Sequence, residues 1–408
     1  MNNILIDVKG EENHIAILEQ SKLVECYIEV EEKKILGNIY RGRVINVLPG
    51  MEAAFIDIGV GKNAYLYIKD ALPKNVGNKN ISINDIIKSG DEIIVQVVKE
   101  AIGSKGPKIT THLTIPGRYT VLTPYSSKIS VSRKIANVDE TKRLTEIGKN
   151  IQQNQMGIIM RTAAKDVEKE LIEKDLNILI NIYNKIERER HFSPTPKLIY
   201  REIGMIDKIV RDVFVNPTDK MFINDKDKYE SIMELLEYIS PELKDRVELR
   251  DKEDIFQLFN VNEKIKNIFN REIPLECGGY IVIDETEALT SIDVNTGKYI
   301  GNLNLEETIV KTNLEATQEI ARQLRLRDIG GIIIIDFIDM DNEENVTMVL
   351  NRLDEELKKD RTKSNVFGIT KLGLVEMTRK KVRNRLSWNF AQLCPCCKGR
   401  GKIFEFND

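Results

Sequence analysis

Histidine is scarce in this chain, which has only three in 408 residues: His14, His112 and His191, all far apart. A mechanism based on a histidine general base, or a metal cage of histidines, is therefore not expected. Long apolar runs are also missing, since no stretch approaches the about 20 apolar residues that a membrane-spanning helix needs. The sequence thus predicts a soluble protein without a membrane span.

The N-terminus begins Met-Asn-Asn-Ile-Leu-Ile-Asp, which is neither the basic start of a secretory signal nor an Arg- and Ser-rich presequence. We therefore expect a cytoplasmic protein. A strong excess of one charge is absent as well, because 61 Lys and Arg residues face 64 Asp and Glu residues, for a net charge of -3. Any site for a polyanion must accordingly be local.

One local basic segment lies between residues 371 and 402, where a single acid, Glu376, accompanies nine bases. This pattern predicts either a solvated basic surface or a surface that binds a polyanion. The bases are Lys371, Arg379, Lys380, Lys381, Arg383, Arg385, Lys398, Arg400 and Lys402.

Cysteine is limited to five residues, and Cys394, Cys396 and Cys397 cluster near the end of the sequence. In a cytoplasmic protein such a cluster indicates metal rather than disulfides. Cys394 and Cys397 have zinc-knuckle spacing, and the simplest four-ligand site takes the same pair from a second copy, giving a zinc-bridged homodimer. The alternatives are a redox dithiol, or a site completed by Cys396 and Cys277. The roles of Cys26, Cys277 and Cys396 stay open.

The length of 408 residues leaves room for about two to four domains. Residues 1–36 alternate apolar and polar, which predicts a few antiparallel strands that join a sheet completed later in the chain. Residues 37–117 combine short strands with glycines at the bends, as in a five-stranded OB-type barrel. Residues 118–207 mix strand and helix, whereas residues 208–272 show helix–strand–helix–strand without a chemical motif.

The barrel segment and the segment after it contain candidate contacts for nucleic acid. Exposed aromatics of such barrels stack on unpaired bases, and Phe55 and Tyr65 are candidates for this role, unless they belong to the barrel core. Lys105, in a Gly-Ser-Lys-Gly loop, could meet a phosphate or have no role. Arg161-Thr162 follows a strand, where Arg offers a planar fork for phosphate oxygens and Thr a hydroxyl; an ordinary surface pair is the alternative.

The clearest candidate for chemistry lies in Gly278–Phe337. Four isoleucines between Gly331 and Asp336 predict a buried strand, and Asp293 lies at the end of another. Ligands of α/β sheets bind beyond the carboxyl ends of strands, and two carboxylates there suit Mg²⁺. Asn295, two residues after Asp293, shares its face and could hold a phosphate or a water. The alternative is that the aspartates are turn formers or helix caps.

Further carboxylates lie nearby, at Asp284, Asp339 and Asp341, and the last two are interpreted mainly as acidic residues before the next helix. Apolar residues at helical spacing predict one helix that starts near Asn304 and a second from Asn342 to about residue 359. Together with the strands, they predict a three-layer α/β domain from residue 273 onward, with the carboxylates at one edge.

Four sequence blocks resemble the ribonuclease E/G family, and the likeness covers nearly the whole chain. The short chain and the segment Glu376–Lys381 (EMTRKK) resemble the shorter members rather than the long, scaffold-bearing ones. The four blocks are Glu285–Asn295 (ETEALTSIDVN), Ile320–Asp328 (IARQLRLRD), Ile335–Met340 (IDFIDM) and Cys394–Gly401 (CPCCKGRG).

The resemblance implies a multidomain protein with α+β and α/β parts. Its regions would be an RNase H-like subdomain without its catalytic set (1–36 plus 208–272), an S1-type OB-fold RNA-binding domain (37–117), a 5′-monophosphate sensor region (118–207), a DNase I-like catalytic domain (273–393) and a zinc-link tail (394–408).

The resemblance also implies site residues. Asp293 and Asp336 would hold a catalytic Mg²⁺, for which Mn²⁺ could substitute, while Asn295 positions the scissile phosphate. Cys394 and Cys397 would bind a structural Zn²⁺ shared between two chains. A 5′-phosphate pocket would comprise Gly117, Val121, Arg161 and Thr162, and an RNA-gripping surface Phe55, Tyr65 and Lys105; the Tyr65 position is commonly Phe in the family.

The implied activity is Mg²⁺-dependent hydrolysis of internal phosphodiesters in single-stranded RNA, giving 5′-phosphate and 3′-hydroxyl ends. It would be stimulated by 5′-monophosphorylated RNA and act in rRNA and tRNA processing and in mRNA decay. A non-catalytic RNA-binding assembly protein and a Mg²⁺ phosphatase are the alternatives. Family members commonly continue past the zinc motif into a small domain that pairs dimers, so we expect a homodimer rather than a tetramer.

Overall fold

The chain folds into two compact units in the computed structural model, which describes residues 2–30, 35–71, 81–101, 105–192, 194–297, 305–382, 386–392, 394–397 and 401. The first unit comprises residues 1–29, 216–230 and 245–408, and the second comprises residues 30–215 and 231–244. Across the described ranges, every helix is too short or too polar to span a membrane.

Strands and helices alternate irregularly along the described chain, so the protein is of the mixed α+β type, as predicted. The strands are β1 (Asn2–Lys9), β2 (Glu12–Glu19), β3 (Lys22–Val30), β4 (Ile39–Leu48), β5 (Ala53–Asp57), β6 (Ala64–Tyr67), β7 (Glu92–Lys99), β8 (Lys108–Thr110), β9 (Ile115–Pro116), β10 (Thr120–Thr123), β11 (Ile129–Val131), β12 (Gly157–Met160), β13 (Lys197–Tyr200), β14 (Lys220–Ile223), β15 (Val247–Leu249), β16 (Glu272–Pro274), β17 (Tyr280–Glu285), β18 (Leu289–Asn295), β19 (Gly331–Asp336), β20 (Ser364–Ile369) and β21 (Val375–Arg379).

The α-helices are α1 (Ile68–Ala71), α2 (Ile83–Ile86), α3 (Val138–Ile151), α4 (Lys169–Phe192), α5 (Met205–Asp212), α6 (Lys226–Ile239), α7 (Ile255–Leu258), α8 (Val261–Ile268), α9 (Leu305–Leu326), α10 (Glu343–Lys358) and α11 (Ser387–Phe390). Short 3₁₀ helices cover Pro49–Met51, Thr162–Ala164 and Pro241–Arg246.

The second unit contains a closed five-stranded barrel. Its strands run in the order β4-β5-β6-β8-β7, and pairing of β7 with β4 closes the ring, while β13 adds to the outside of β4. Alternation along β5 and β6 directs Ala54, Ile56, Ala64 and Leu66 into a fully buried core. This closed barrel is consistent with an OB-like fold, in agreement with the sequence prediction.

A four-stranded sheet, in the order β11-β12-β10-β9, forms the rest of the second unit's core together with α3 and α4. Buried Leu122 and Ile158 of the sheet share this core with Leu144 of α3 and Leu176 of α4. Because β10 and β12 are antiparallel neighbours, the turn before β10 lies beside the residues that follow β12.

The first unit contains a sheet in the order β15-β14-β1-β2-β3. Parallel pairing of β1 with β14 places Ile4 opposite Met221, which confirms that the N-terminal strands join a sheet completed later in the chain. Helix α9 is bonded to this sheet by Arg325, which donates to Glu19 at 2.7 Å and to buried Glu25 at 2.9 Å.

A second sheet of the first unit, here called the C-terminal sheet, has the order β16-β17-β18-β19-β21-β20. Helices α9 and α10 both pack on one of its faces, where Ile292 and Ile335 meet Ile320 of α9 and Leu353 of α10. The other face, here called the open face, leaves Ile332 51% exposed. The expected three layers are therefore wrong for the described residues, because both helices cover the same side.

The start of α10 agrees with the sequence prediction. The Asn342 side chain accepts a hydrogen bond from the Glu344 backbone N–H at 2.8 Å and so caps the helix. The predicted start of the preceding helix at Asn304 lies outside the described residues, and α9 is described from Leu305.

Candidate active site

Two aspartates face each other at the carboxyl ends of β18 and β19. These strands are parallel neighbours, and Asp293 pairs directly with Asp336 in the register. Adjacent strands lie about 4.8 Å apart, and paired residues point to the same side of a sheet. Since Ile292 and Ile335 point to the helices, both carboxylates lie on the open face, where they are exposed.

The electrostatics of this pair favour a cation. Partial burial and the neighbouring charges of Asp293 and Asp339 raise the pKa of Asp336 above its usual value. A raised carboxyl pKa means that the anion is destabilised by its surroundings. The Asn295 amide donates to Asp293 at 2.7 Å, so it shares the face of the pair and orients one carboxylate.

The ends of both strands are held in place by contacts that the sequence did not reveal. Asn313 of α9 is fully buried; its side chain donates to the carbonyl of Ile338 at 2.8 Å and accepts from the N–H of Ile338 at 3.1 Å. These two hydrogen bonds fix the segment just after Asp336. A Cβ on Gly279 would lie 2.6 Å from the Asn295 carbonyl oxygen, so only glycine permits this approach to β18.

The donor set consists of the two carboxylates rather than a larger cluster. Within the described ranges, no group of three or more His, Cys, Asp or Glu side chains is placed to hold a metal ion. Mg²⁺ retains several waters and binds through one or two carboxylates, so this oxygen pair fits it. Of the other candidates, Asp284 forms an ion pair with Arg271 at 2.7 Å. Asp339 adds negative charge beside Asp336.

A second candidate site lies in the second unit, at the turn between β9 and β10. The Asp175 carboxylate on α4 accepts hydrogen bonds from the N–H groups of Arg118, Tyr119 and Thr120 at 2.8, 3.1 and 2.9 Å. A Cβ on Gly117 would lie only 2.5 Å from this carboxylate, so the turn requires glycine there. Asp175 therefore shapes the turn, a role that the sequence did not indicate.

Arg161 reaches this turn from the end of β12. Its Nη1 donates to the carbonyl of Gly117 and to Asp212 Oδ1, the latter at 2.7 Å. Arg211 also binds Asp212 through two hydrogen bonds, at 2.8 and 2.9 Å. Burial alone would raise the pKa of Asp212, but the hydrogen bonds from Arg211 and Arg161 outweigh it and lower the pKa to about 2.

The other predicted members of this site are adjacent. Val121 pairs with Ile159 across β10 and β12, one residue pair beyond the turn. The Thr162 hydroxyl shares a hydrogen bond with Ser132 at 2.9 Å. The structure thus brings Gly117, Val121, Arg161 and Thr162 to one end of the four-stranded sheet, where β10 begins and β12 ends. The acid Asp212, which faces Arg161, was missed.

The predicted barrel contacts also form one group. Phe55 and Tyr65 are directly paired across β5 and β6, and both are half-buried on the side opposite the barrel core. Tyr65 N–H donates to the carbonyl of Pro107, so the chain segment that begins with exposed Lys105 runs beside it. The alternative that the two aromatics belong to the barrel core is therefore excluded by the strand alternation.

The three clustered cysteines lie in the described segment 394–397, whereas residues 398–400 of the same sequence block lie outside the described residues. Cys394 and Cys396 are exposed, and Cys397 is half-buried. Backbone N–H groups of Cys397 and Cys396 lower the pKa of the Cys394 thiol. A thiol that ionises readily suits a zinc ligand.

Comparison with known proteins identifies the family of this chain. The model of the ribonuclease E/G family matches residues 114–382, about two thirds of the chain. The chain belongs to the ribonuclease E/G family. It is 40% identical to ribonuclease G of Escherichia coli strain K12, over 98% of this chain and 84% of the relative.

Other members of the ribonuclease E/G family show the same breadth of similarity. Ribonuclease G of Haemophilus influenzae is 40% identical over 98% of this chain and 84% of its own length. Ribonuclease E of Synechocystis is 35% identical over 96% of this chain but 58% of its own length. The resemblance seen in the four sequence blocks is thereby confirmed, including the likeness to the shorter members.

Proposed function

We propose that this endoribonuclease of the E/G family hydrolyses internal phosphodiester bonds of single-stranded RNA with a Mg²⁺ ion held by Asp293 and Asp336. The observation that carries the proposal is the direct pairing of the two carboxylates on the open face. Partial burial and the charges of Asp293 and Asp339 raise the pKa of Asp336, so its anion is destabilised and a divalent cation would bind favourably beside it.

Each group of the site has a task in this reaction. Bound Mg²⁺, or Mn²⁺ in its place, supplies a water of lowered pKa and neutralises charge on the phosphate. Asp293 and Asp336 bind and orient the ion, and Asn295 fixes Asp293 and contacts the scissile phosphate. Asn313 holds the chain after Asp336, which keeps the carboxylates in register. The expected products carry 5′-phosphate and 3′-hydroxyl ends.

The test is cleavage of a single-stranded RNA with its label at the 5′ end. We expect internal cuts with Mg²⁺ and none after chelation, no cuts in a fully duplexed RNA, and a 3′-hydroxyl on the 5′ fragment. A 2′,3′-cyclic phosphate on that fragment would contradict attack by water, because it forms only when the ribose hydroxyl is the nucleophile. Binding without cleavage at any Mg²⁺ concentration would contradict the enzyme proposal.

A regulatory 5′-monophosphate site is proposed at the edge formed by Gly117, Val121, Arg161 and Thr162. Arg161 presents a guanidinium and Thr162 a hydroxyl there, and both suit phosphate oxygens. Since Asp212 also binds Arg161, a phosphate has to share this cation with a carboxylate. Comparing RNAs that differ only in a 5′-monophosphate or 5′-hydroxyl tests the site, and equal cleavage rates would contradict it.

Two further parts of the chain are proposed to support RNA cleavage. Phe55 and Tyr65 are proposed to stack on unpaired bases, since they are paired outside the barrel core. Exposed Lys105, in the segment that runs beside Tyr65, is proposed to contact phosphate. Cys394 and Cys397 are proposed to share a Zn²⁺ with a second chain. Cys394→Ser should release zinc and yield monomer in sedimentation, and a zinc-free dimer would contradict this bridge.

The regional assignments follow the same proposal. The S1-type barrel, the sensor region, the RNase H-like subdomain, the DNase I-like catalytic domain and the zinc-link are proposed at the boundaries given above. Roles in rRNA and tRNA processing and in mRNA decay are proposed from family membership, and are tested by following these RNAs after depletion of the protein.

A further inference from the structure

The hairpin formed by β20 and β21 exposes more apolar surface than the rest of the C-terminal sheet. Phe367 is 68% exposed on the edge strand β20, and Leu372 is 83% exposed at the tip between the strands. Large apolar side chains left in water next to a candidate active site indicate a contact surface for a ligand or partner.

The conformation of β20 accounts for the exposure of Phe367. The register of β20 against β21 shifts between Val366 and Gly368, so Phe367 is an extra residue that has no partner in the ladder. Such a β-bulge redirects side chains and is frequent beside active sites. Gly368, with a φ of +123°, provides the backbone conformation that the bulge requires.

The hairpin tip lies at the rim of the carboxylate site. A Cβ on Gly373 would be 3.8 Å from Asp339 Oδ1, and Val375, just after the tip, pairs with Ile335, the residue before Asp336. The strand order places β20 two strands from β19, about 10 Å across the sheet, and the register places Phe367 near the level of Ile333, about 10 Å along the strand from Asp336. Phe367 is thus within a few nucleotides of a phosphate held at Asp336.

Hydrogen bonds hold the hairpin tip, and the tip contains the positively charged Lys371. The Thr370 hydroxyl oxygen accepts from the N–H groups of Leu372 and Leu374, both at 3.2 Å, and the Thr370 N–H donates to the Leu374 carbonyl at 2.8 Å. These bonds hold the tip so that Lys371 and Leu372 both project into solvent. An apolar side chain beside a lysine matches the base and the phosphate of one nucleotide.

We propose that the β20–β21 hairpin is a substrate subsite, at which unpaired bases contact Phe367 and Leu372 while Lys371 contacts the backbone phosphate. The subsite rests on the proposed function, because its occupant is the RNA strand that crosses Asp293 and Asp336. Bases in a duplex are already stacked and cannot reach Phe367. The hairpin therefore also contributes to selection of single-stranded RNA.

Binding is tested in the full chain carrying Asp293→Asn, which removes cleavage. Fluorescence anisotropy of a labelled single-stranded oligonucleotide should show a Kd that Phe367→Ala raises by about 5- to 100-fold and Phe367→Tyr leaves near its starting value. Met348→Ala is the matched control, since Met348 is 49% exposed on α10, across the sheet from the open face. An unchanged Kd in Phe367→Ala would overturn the subsite.

The charge of Lys371 has its own readout. Lys371→Ala should lower the slope of log Kd against log salt by about one, as expected for loss of one phosphate contact. Lys358→Ala, which removes an exposed lysine on α10, should leave the slope unchanged. A slope that Lys371→Ala and Lys358→Ala alter equally would contradict a phosphate contact at the tip.

Cleavage kinetics separate this inference from the proposed function. In chains with Asp293 intact, Phe367→Ala should raise KM and leave kcat nearly unchanged, and the effect should disappear in oligonucleotides shortened on one side of the cut. An unchanged KM with all lengths would overturn the subsite while cleavage by Asp293 and Asp336 stands. Conversely, full activity of Asp293→Asn would overturn the proposed metal site. The Kd of Phe367→Ala would then be measured on an oligonucleotide with uncleavable backbone linkages and would still report on the hairpin.

Discussion

The carboxylate pair of the first unit, Asp293 and Asp336, and the Arg161–Asp212 ion pair of the second unit differ in whether their charges are compensated within the protein. Asp293 and Asp336 face each other, and partial burial together with the charge of Asp293 raises the pKa of Asp336. Arg161, by contrast, already binds Asp212, whose pKa falls to about 2. The carboxylate pair is therefore destabilised when no cation is bound, whereas the Arg161–Asp212 ion pair stabilises the fold.

The difference predicts what each site loses on mutation. Removing a carboxylate from the first site should abolish chemistry with little cost in folding, because the repulsion disappears with it. Removing a partner from the second site should lower stability, because a partly buried charge loses its counter-charge. The predictions below test this contrast, beginning with the largest effect.

The largest effect is expected for Asp336→Asn and Asp293→Asn. Each should lower the rate of RNA cleavage by about 10³-fold or more, since the ion that activates water and stabilises the phosphate loses a ligand. Thermal unfolding should show unchanged or slightly higher stability. Asp284→Asn is the matched control, because Asp284 lies on the same sheet but pairs with Arg271; comparable loss of cleavage there would contradict the assignment.

Acid should weaken the second unit through Asp212. Its folded-state pKa of about 2 lies below the unfolded value near 3.8, so its stabilisation is present above pH about 4 and is lost as the pH falls toward 2. The loss should amount to about 2 kcal/mol. Urea unfolding at several pH values should show this slope in the wild type and a weaker slope in Asp212→Asn; identical slopes would contradict the ion pair.

Selectivity for the 5′ end should change by a smaller factor. Arg161→Ala should reduce the rate ratio between 5′-monophosphate and 5′-hydroxyl RNA by about tenfold, the loss of one charge-assisted phosphate contact. Cleavage of the 5′-hydroxyl RNA should persist. Arg143→Ala provides a control, because Arg143 also pairs with an acid, Glu140, elsewhere in the second unit. A ratio lowered equally by both changes would reflect general destabilisation.

The smallest effect concerns the support behind the carboxylates. Asn313→Ala should lower kcat by about fivefold, because the segment after Asp336 loses both hydrogen bonds that position it. KM should change little. Thr317→Ala is the control, since among the described residues the Thr317 hydroxyl bonds within its own helix alone, to the Leu314 carbonyl. If Thr317→Ala lowers kcat as much, the effect is one of helix stability rather than positioning.

The sequence predicted those features that depend on local pattern. Asp336 was identified because it ends an apolar strand, Asp293 because it lies near the end of another strand, and Asn295 because strand alternation returns it to the same face. The barrel followed from short strands with glycines at the bends. Each inference uses residues within a few positions of one another, where backbone periodicity alone sets the direction of a side chain.

The partners of these residues were not predictable, because they lie far away in the sequence. Asp212 is 51 positions from Arg161, and Asp175 is 57 from Arg118. The three-layer expectation was wrong for a related reason. The apolar stripes of α9 and α10 predict that each helix packs on the sheet, but they do not show that both helices pack on the same face. Ile332 was accordingly predicted to be buried, whereas it is exposed on the open face.

The most direct test of the carboxylate pair is a change of metal preference. Asp293→Cys replaces a hard oxygen ligand with sulfur, which Mg²⁺ binds poorly and Mn²⁺ accepts better. The account predicts that RNA cleavage by this variant is lost in Mg²⁺ and recovers by at least about tenfold in Mn²⁺, while the wild type works in both. Cleavage by the variant that does not depend on which metal is present would contradict metal binding at Asp293.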